Sequence, residues 1–310
     1  LNCNDCGWKS ECPHCSAYRV FHKLDRTLRC HHCGFTQPVP RACPTCGNLD
    51  ISPLGRGTEQ LEEHLADLLA DVRRPDGEPL KIARIDADST RKKGSAQALF
   101  ASVHAGEVDI LVGTQMVAKG HDFANLGLVG VLNADAMLFS QDFRAPERLF
   151  AQLMQVAGRA GRHTGHGEVM VQTGYPEQPV YQALLKHDYT GFAQHTIRER
   201  EAACLPPFSH QALLSAEARE LNTALDFLTA AREIATTLAA QLDCAGLITL
   251  YDPVPLRIVR VDNMCRAQLL IESTHRPSMQ QLLRYWLAEL NQNPDTRRIS
   301  WQLEVDPLEI

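Results

Sequence analysis

The sequence predicts an α/β chain in three parts: a metal-binding module, a domain built on a parallel sheet, and a smaller α+β domain. Eight of the eleven cysteines lie between Cys3 and Cys46. Apolar strand-like runs then alternate with helical patterns, which is typical of a parallel sheet covered by helices on both faces. From Leu205 onward, strands are interspersed with two long helical patterns, as expected for helices on one face of a mostly antiparallel sheet.

The composition is that of a globular chain rather than a disordered or membrane-spanning one. Its 310 residues suffice for two or three domains, with 44% hydrophobic and 22% charged residues. The longest apolar runs, such as Leu126–Leu132, are far shorter than the roughly 20 residues that cross a bilayer. The net charge is −6, and residues 205–310 alone carry nine Arg, no Lys and thirteen Asp plus Glu. Any binding to DNA therefore has to come from local arginines rather than from net charge.

The distribution of the cysteines indicates metal binding in a reducing compartment. No signal peptide precedes the first cysteine, and only Cys204, Cys244 and Cys265 lie outside the cysteine-rich segment. A secreted protein held by disulfides would spread its cysteines through the fold. We therefore expect the protein to be cytoplasmic.

Four Cys-x-x-Cys pairs provide the ligands of this module: Cys3/Cys6, Cys12/Cys15, Cys30/Cys33 and Cys43/Cys46. A short turn between two thiolates lets both reach one tetrahedral Zn²⁺ at about 2.3 Å. Glycine follows three of the pairs, at Gly7, Gly34 and Gly47, where the turn needs an open backbone conformation. Eight thiolates predict two closed four-cysteine sites, which leave no position for a catalytic water, so both zinc ions would be structural.

The spacing leaves three ways to combine the four pairs into two sites. Cys15 and Cys30 are separated by 14 residues, close to the spacing of a zinc ribbon, which favours a nested arrangement over a sequential one. In the nested arrangement the two zinc sites are Cys3, Cys6, Cys43 and Cys46, and Cys12, Cys15, Cys30 and Cys33. Nesting would place the beginning and the end of the module close together. His14, His31 and His32 are interpreted as loop residues, because eight cysteines already suffice.

The middle of the chain is predicted to alternate helices and strands. Thr58 is expected to cap the first helix, with leucines at helical spacing behind it. The predicted helices are 58–70, 96–104, 146–157 and helical stretches within 178–203, and the predicted strands are 80–85, 108–112, 126–132 and 168–172. In the last part, the predicted strands are 211–217, 248–251, 266–271 and 300–305, and the predicted helices are 222–242 and 277–290.

One segment of the middle part, Asp109–Phe123, is suited to binding a phosphate. A buried strand runs into Gly113 and Thr114, whose backbone amides and hydroxyl can bind phosphate oxygens. By itself such a glycine turn is weak evidence, because most glycine turns are only turns.

A second segment, Gln152–Arg162, places two arginines on a glycine-punctuated turn after a helix. Gln155, Arg159 and Arg162 lie at the end of this helix. Two guanidinium groups in this arrangement suit a clamp on the charge that develops at a transferring γ-phosphate. By itself an arginine at a helix end more often only complements the helix dipole.

In this order and spacing, the two segments resemble motifs V and VI of superfamily 2 helicases. The resemblance implies the second of two RecA-like lobes, in which Arg159 and Arg162 act as arginine fingers on the nucleotide and Gln155 assists them. It also implies that Gly113 and Thr114 contact the DNA backbone and that Gly120 and Asp122 lie near the nucleotide. Lys119 is a further candidate for contact with DNA or nucleotide, with a solvated loop as the alternative interpretation.

A cysteine-rich module ahead of such a lobe narrows the resemblance to the primosomal protein N′ (PriA) family of bacterial replication-restart helicases. Further similar segments cover essentially the whole chain: Gly55–Glu59, Arg84–Asp88, Phe139–Arg144, Leu205–Phe208 and Asp306-Pro307. The implied fold is an α/β RecA-like helicase lobe with an inserted two-zinc ribbon-like module, followed by an α+β C-terminal domain. The implied domains are a zinc-binding module (1–52), the second lobe (53–175), a helical connector (176–204) and a C-terminal DNA- and partner-binding domain (205–310).

The resemblance implies the C-terminal part of an ATP-dependent 3′-to-5′ DNA helicase that recognises stalled replication forks and initiates primosome assembly and replication restart. The sequence contains neither a Gly-x-x-x-x-Gly-Lys-Ser/Thr phosphate loop nor an Asp-Glu-x-His box for Mg²⁺. The family would place the lobe that carries them upstream of Leu1. ATP and Mg²⁺ would thus be cofactors of the full-length protein, and we expect no ATP hydrolysis by this chain alone.

For the last domain, the resemblance implies contacts with DNA and with the acidic tail of the single-stranded-DNA-binding protein. Arg257, Arg260 and Arg266 are the candidates for DNA binding, with Tyr251 as a stacking partner. Some family members carry a glycine- and aromatic-rich basic stretch where this chain has Val261–Cys265, which weakens the case for base stacking. The other implied partners are branched and single-stranded DNA, primosome proteins and the replicative helicase loader, with no membrane and a monomeric chain.

An alternative interpretation is a non-catalytic zinc-ribbon assembly protein with a degenerate helicase lobe. The intact Gln155, Arg159 and Arg162 pattern argues against it, because a lobe used only for binding has no need for two free arginines.

Overall fold

A computed structural model describes residues 1–22, 25–52, 57–86, 95–114, 123, 126–140, 142–160, 167–292 and 299–310 of the chain. The chain forms two compact units, one made of residues 1–54 with 196–310 and the other of residues 55–195. Within the described residues, no helix combines the length and the apolar character needed to cross a membrane.

The cysteine-rich module is built from short antiparallel strands and loops. Its strands are β1 (Asn2–Cys3), β2 (Val20–His22), β3 (Thr27–Arg29), β4 (Thr36–Pro38) and β5 (Ile51–Ser52). Strands β2, β3 and β4 form one sheet, while β1 pairs with β5 so that Asn2 lies opposite Ser52. The first and last strands of the module are therefore neighbours, as the nested arrangement of cysteine pairs predicts.

The unit of residues 55–195 contains two pairs of parallel strands with helices between them. Its elements are α1 (Thr58–Leu68), β6 (Ile82–Ile85), α2 (Ser95–His104), β7 (Ile110–Gly113), β8 (Leu128–Val131), α3 (Asp135–Leu138), α4 (Ala145–Ala157), β9 (Glu168–Val171) and α5 (Pro179–Leu185), with α6 (Tyr189–Ala202) continuing past its end. Strand β6 pairs with β7, and β8 pairs with β9, both in parallel register.

Helix α4 provides the core of this unit. Proline near its start has no backbone N–H to leave unpaired, and the apolar residues Leu149, Phe150 and Leu153 form one buried stripe. This stripe packs against the buried side chains of α5 and against Phe192 of α6, whose ring stacks on Phe150 at a centroid distance of 4.4 Å.

Three details of this unit differ from the sequence-based expectations. Thr58 does not cap α1: the cap position is Gly57, and the Thr58 hydroxyl donates to Asp86 Oδ2 at 2.8 Å. The run 126–132 is not buried on both faces, because Leu128 is 55% exposed. A run of apolar residues cannot reveal whether one or both faces of its strand are covered. The short helix α3 was not predicted, because four residues are too few to show a helical period.

The C-terminal domain is a five-stranded antiparallel sheet with two helices on one face. Its elements are β10 (His210–Ala218), α7 (Leu221–Gln241), a 3₁₀ turn (Ala245–Leu247), β11 (Ile248–Leu250), β12 (Val254–Val261), β13 (Met264–Ser273), α8 (Arg276–Gln292) and β14 (Ser300–Val305). The strand order is β11-β13-β10-β14, with β12 also paired to β13.

Side chains alternate between the two faces along the central strands, and this alternation determines which face of the sheet is covered. Leu214 of β10 lies opposite Leu269 of β13 and Leu303 of β14, so one face is apolar across three strands. The two helices pack on this face, where Trp286 of α8 is completely buried and donates its indole N–H to the Ala231 carbonyl at 2.8 Å. The donor of this large aromatic side chain is thus satisfied inside the core.

Strand β12 was missed by the sequence analysis, which left its residues outside any element. Its sequence carries Pro255 and arginines at an edge position, and its register with β13 shifts between Pro255 and Arg260. It is joined to β13 by a two-residue turn in which Asp262 and Asn263 both have positive φ values, 49° and 64°. Positive φ at both central residues is the geometry of a type I′ hairpin turn, for which Asp and Asn are favoured.

Candidate metal and nucleotide sites

The eight cysteines of the module form two separate clusters of four. One cluster contains Cys3, Cys6, Cys43 and Cys46, and the other contains Cys12, Cys15, Cys30 and Cys33. We call them cluster 1 and cluster 2. Within each, the four sulfur atoms lie within 4.8 Å of one another. The cysteines are therefore grouped in the nested way that the spacing favours.

The distances between sulfur atoms fit a tetrahedral metal ion. Paired sulfurs are 3.6 Å apart for Cys3 and Cys46, 3.5 Å for Cys6 and Cys43, and 3.7 Å for Cys12 and Cys33. Four sulfurs at about 2.3 Å from a central Zn²⁺ would be about 3.8 Å from one another. A disulfide would require about 2.05 Å. The two clusters fit two zinc ions and not disulfides.

The backbone around three of the cysteine pairs has the same conformation. The glycine after each pair has positive φ, 73° at Gly7, 75° at Gly34 and 77° at Gly47. Each glycine N–H donates to the carbonyl of the first cysteine of its pair, at 2.9–3.0 Å. A residue with a Cβ would be strained in this left-handed conformation, so glycine is needed at these three turns.

Backbone hydrogen bonds also prepare one thiolate in each cluster. Desolvation opposes ionisation of Cys43, but hydrogen bonds from the N–H groups of Cys46 and Thr45 and from the thiols of Cys6 and Cys46 together lower the pKa of Cys43 to about 6. In cluster 2, desolvation is likewise opposed by the N–H groups of Cys33 and His32 and by the thiols of Cys12 and Cys33, which together lower the pKa of Cys30 to about 7. Because only the thiolate binds a metal, each cluster holds one sulfur ready for the incoming ion near neutral pH.

The histidines of the module are not part of either cluster among the described residues. His14 Nδ1 lies 3.0 Å from Asn263 Oδ1, and its ring packs edge-on against Phe35. The rings of His22 and His31 lie 5.5 Å apart. This agrees with the interpretation of His14 and His31 as residues other than ligands.

The first predicted nucleic-acid segment ends at the carboxyl edge of a parallel strand pair. Gly113 is the last residue of β7, opposite Ile85 at the end of β6, and both Gly113 and Thr114 are exposed. This edge of a parallel sheet is where α/β proteins bind ligands. The predicted contacts Lys119, Gly120 and Asp122 lie outside the described residues.

The second predicted segment ends helix α4. Gln155 is exposed on the last turn of the helix, and Arg159 follows Gly158 in the turn beyond it. The Arg159 Nε is buried and has no hydrogen-bond partner within the described part of the chain. Arg162 lies outside the described residues.

Asp86, at the carboxyl end of β6, is bound by its own neighbours. It is 8% exposed, accepts the Thr58 hydroxyl and forms an ion pair with Arg84. Arg84 also pairs with Glu62 of α1 at 3.0 Å. These residues join α1 to β6, a role that the sequence motif did not indicate.

Asp135 was not singled out from the sequence, and it connects three elements. Its carboxylate accepts hydrogen bonds from the Thr173 hydroxyl at 2.6 Å, the Gly174 N–H at 2.7 Å and the Tyr181 hydroxyl at 2.8 Å. These bonds, with Thr173 the largest contribution, lower the pKa of Asp135 below its usual range. The one sequence signal near it is Asn133, a residue type favoured in turns, which has positive φ where the chain reverses after β8.

The three candidate DNA-binding arginines lie on the β12–β13 hairpin. Arg257 is exposed, whereas Arg260 and Arg266 are half-buried. The Arg266 guanidinium donates to the Ile258 carbonyl at 3.2 Å, bracing the irregular part of the hairpin. Tyr251, the suggested stacking residue, is 43% exposed and donates its hydroxyl to Glu272. Arg257 is therefore the member of the set with the most accessible charge.

Three family models match successive parts of the chain. The PriA DNA helicase Cys-rich region matches residues 12–38, the helicase conserved C-terminal domain matches residues 56–164, and the primosomal protein N C-terminal domain matches residues 201–308.

Several similar proteins carry the name replication restart protein PriA. The chain is 42% identical over 311 residues to the replication restart protein PriA of Haemophilus influenzae, covering 100% of this chain and 40% of that protein. It is 35% identical over 305 residues to the PriA of Bacillus subtilis, covering 98% of this chain and 36% of that protein. It is 35% identical over 289 residues to the PriA of Treponema pallidum, covering 93% of this chain and 42% of that protein. The chain thus spans about two fifths of the length of these relatives. With the cysteine-rich region, the helicase C-terminal domain and the primosomal C-terminal domain matched in turn, the chain belongs to the PriA family of replication restart proteins.

Proposed function

We propose that this chain is the C-terminal part of an ATP-dependent 3′-to-5′ DNA helicase that recognises stalled forks and starts primosome assembly for replication restart. The observation that carries the proposal is the presence, in one chain, of two four-cysteine clusters and of helix α4, which carries Gln155 and is followed in the sequence by Arg159 and Arg162. Relatives named as replication restart proteins support it.

In this function the arginines after α4 act on the nucleotide. ATP would lie between this lobe and a first lobe that carries the phosphate loop and the Mg²⁺ ligands, and Mg²⁺ would neutralise charge on the phosphates. Arg159 and Arg162 stabilise the charge that develops on the γ-phosphoryl group, while Gln155 orients groups beside it. The Arg159 Nε, which is buried without a hydrogen-bond partner among the described residues, would find an acceptor on the bound nucleotide.

DNA would be held at the carboxyl edge of β6 and β7. The exposed Gly113 and Thr114 offer a backbone N–H and a hydroxyl to the phosphates of the tracking strand. Lys119 would add a charge contact, and Gly120 and Asp122 would lie at the nucleotide. In the C-terminal domain, Arg257 with Arg260 and Arg266 would contact DNA phosphates.

The cysteine-rich module would be an insertion in the helicase fold that serves strand separation and the docking of partner proteins. The pairing of β1 with β5 supports this, because a module with adjacent ends can be inserted without disturbing its host. The proposed domains are the zinc module (1–52), the second RecA-like lobe (53–175), a helical connector (176–204) and the DNA- and partner-binding domain (205–310). The proposed partners are forked and single-stranded DNA, the single-stranded-DNA-binding protein, primosome proteins and the helicase loader, for a monomer in the cytoplasm.

The test is DNA-stimulated ATP hydrolysis by the full-length protein with Arg162→Ala or Arg159→Ala. Loss of an arginine finger lowers turnover by about 1,000-fold or more, while binding to forked DNA stays nearly unchanged. Lys186→Ala, which removes an exposed charge from the same unit, is the matched control and is expected to keep full turnover. Unchanged turnover in both arginine variants would contradict the helicase proposal and favour a zinc-ribbon assembly protein that only binds.

The 310-residue chain alone provides a second test. Because its sequence contains no phosphate loop, it is expected to hydrolyse no ATP with or without single-stranded DNA. Turnover above the buffer background would show that the division of the site between two lobes is wrong.

A further inference from the structure

All four Cys-x-x-Cys turns of the module form the same backbone hydrogen bond, but only three of them form a second one. In all four, the N–H of the first cysteine donates to the carbonyl five residues later, at 2.7–2.9 Å. In three turns the residue after the second cysteine is glycine, whose N–H returns to the carbonyl of the first cysteine. The turn of Cys12 and Cys15 is the exception, because Ser16 takes the place of glycine.

In this fourth turn, the N–H of the residue after the second cysteine donates to the C-terminal domain instead of to its own turn. The Ser16 N–H donates to the Arg260 carbonyl of β12 at 2.8 Å. The Arg260 carbonyl, about 240 positions away in sequence, thus replaces the carbonyl of the first cysteine, which accepts the corresponding N–H in the other three turns. Serine can therefore stand where the other turns need glycine.

A second substitution of the same kind occurs at the sulfur of Cys15. In cluster 1 the second cysteine of each pair receives an N–H from the residue two positions later, from Trp8 at Cys6 and from Asn48 at Cys46. At Cys15 the N–H comes from Asp262, in the hairpin turn, at 3.4 Å from the sulfur. A zinc ion with four thiolates carries a net charge of −2, so N–H donors to sulfur stabilise the bound state.

Further contacts fix the hairpin at this position. The Asn263 N–H donates to the His14 carbonyl at 2.9 Å, and Asn263 Oδ1 lies 3.0 Å from His14 Nδ1. Val261 packs against the buried cysteines of cluster 2. The hairpin therefore directs the N–H groups of Asp262 and Asn263 and the Val261 side chain at the turn that holds Cys12 and Cys15.

From these contacts we infer that the Arg260–Asn263 turn of the C-terminal domain is an outer coordination shell of zinc cluster 2, and that the occupancy of this cluster controls the docking of the hairpin. Cluster 1 receives no such contact from the C-terminal domain among the described residues, and two of its four cysteines are exposed. The two zinc sites are thus unequal: cluster 1 is complete within its own loops, whereas cluster 2 is completed by a distant hairpin.

The inference rests on zinc binding by the cysteines and not on helicase activity. Binding of two zinc ions per chain, measured by atomic emission, is therefore established first. Fewer than two zinc ions per chain would contradict the assignment of the cysteine clusters as zinc sites. This outcome is distinct from a failure of the inference about the hairpin.

The test follows the two clusters separately by pulsed alkylation of the zinc-loaded chain in excess chelator, with mass spectrometry of the cysteine peptides. Val261→Asp places a carboxylate against cluster 2 and is expected to speed labelling of Cys12, Cys15, Cys30 and Cys33 by about 10-fold or more, as for other outer-shell changes. Labelling of the cluster 1 cysteines should stay unchanged. The matched control is Val254→Asp, which adds the same charge to an exposed position of the same strand.

A milder variant covers the case in which Val261→Asp disrupts the hairpin. Asn263→Gly keeps a residue suited to positive φ and keeps the backbone N–H, but removes the side-chain contact with His14. Loss of one hydrogen bond is expected to speed labelling of cluster 2 by about 2- to 10-fold. Equal labelling of cluster 2 in Val261→Asp and Val254→Asp, or equal acceleration of both clusters, would overturn the inference.

The reciprocal effect is measured by hydrogen exchange of the unsubstituted chain. Removal of zinc should speed exchange of the Asp262 and Asn263 amides, whose acceptors are the Cys15 sulfur and the His14 carbonyl. The amides of Leu269 and Ile271, inside the sheet, are the control and should stay protected. If the turn amides remain equally protected without zinc, the hairpin docks independently of the metal and the inference is wrong.

Discussion

The cysteine-rich module and the C-terminal domain belong to one compact unit but are stabilised in different ways. The C-terminal domain buries a continuous apolar core around Trp286, Leu214 and Leu269, all completely inaccessible. In the module, apart from cysteines, the large side chains in the interior are few, and Leu28 is the most deeply buried of them at 1% exposure. A module of about fifty residues buries little apolar surface, so we expect metal coordination to supply the stability that a larger core would give.

The comparison also shows where the two regions depend on each other. Cluster 1 is closed by its own turns. At cluster 2, the hairpin donates the Asp262 N–H to the Cys15 sulfur and the Asn263 N–H to the His14 carbonyl between the two cysteines of that turn. The C-terminal domain has a core that needs no metal, but its hairpin gains its position from one. The following predictions test this difference, in order of decreasing effect.

The largest effect is expected from removal of zinc. Structural zinc contributes about 10–16 kcal/mol to the folding of small zinc-finger peptides, so the module should unfold completely without it. Hydrogen exchange on the whole chain should show the Leu28 amide exchanging fully in chelator while the amides of Leu214 and Leu269 stay protected. Return of zinc should restore protection at Leu28. If all three sites lost protection together, the two regions would form a single cooperative unit and the comparison would fail.

A smaller effect, confined to the C-terminal domain, is expected from Trp286→Ala. This change empties a completely buried site and leaves the Ala231 carbonyl without its indole donor, so it should lower the free energy of unfolding by about 3–5 kcal/mol. Urea denaturation followed by circular dichroism measures it, and the zinc content should stay at two ions per chain.

The control for this variant is the next residue along the helix. Tyr285 is 50% exposed, and Tyr285→Ala should change the free energy of unfolding by no more than about 0.5 kcal/mol. A loss of zinc in Trp286→Ala would show that the apolar core also supports the module.

The smallest effect is expected from Tyr251→Phe at the edge of the sheet. The Tyr251 hydroxyl donates to Glu272 at 2.6 Å, and its loss should cost at most about 1 kcal/mol because the ring is 43% exposed. The hydrogen bond to Glu272, followed by burial, raises the pKa of Tyr251 above its usual value. The stabilisation is therefore complete below about pH 10, the ordinary tyrosine value, and is lost as the pH rises through the higher pKa of the folded state.

The pH dependence distinguishes the two regions as well. Denaturation of the parent and of Tyr251→Phe at pH 8 and at pH 11 should show a difference in stability at the lower pH that shrinks at the higher one. The module should instead lose zinc on acidification, because protons compete for the thiolates. A Tyr251→Phe difference that stays constant with pH would show that the hydroxyl bond does not contribute.

Much of the site could be predicted from the sequence because it depends on neighbouring residues. The Cys-x-x-Cys turns, their glycines and the pairing of inner with inner pairs follow from local backbone geometry and spacing. The last strand, Ser300–Val305, was predicted with its observed bounds because its apolar alternation is regular. The arginine turn after α4 was predicted from residues within one helix and its end, and its described part, Gln155 and Arg159, lies where expected.

What only the tertiary structure decided involves residues far apart in the chain. That the Thr58 hydroxyl turns to Asp86 instead of capping its helix depends on how α1 packs on β6. Strand β12 was missed because an edge strand with arginines and proline has no clear period, and its partner β13 defines it. That Ser16 can replace a glycine is decided by the Arg260 carbonyl, about 240 residues away. Local sequence determines the turns that bind metal, because their conformations involve only a few adjacent dihedral angles. Which turn is completed by another domain depends on the packing of the whole unit, which no local pattern encodes.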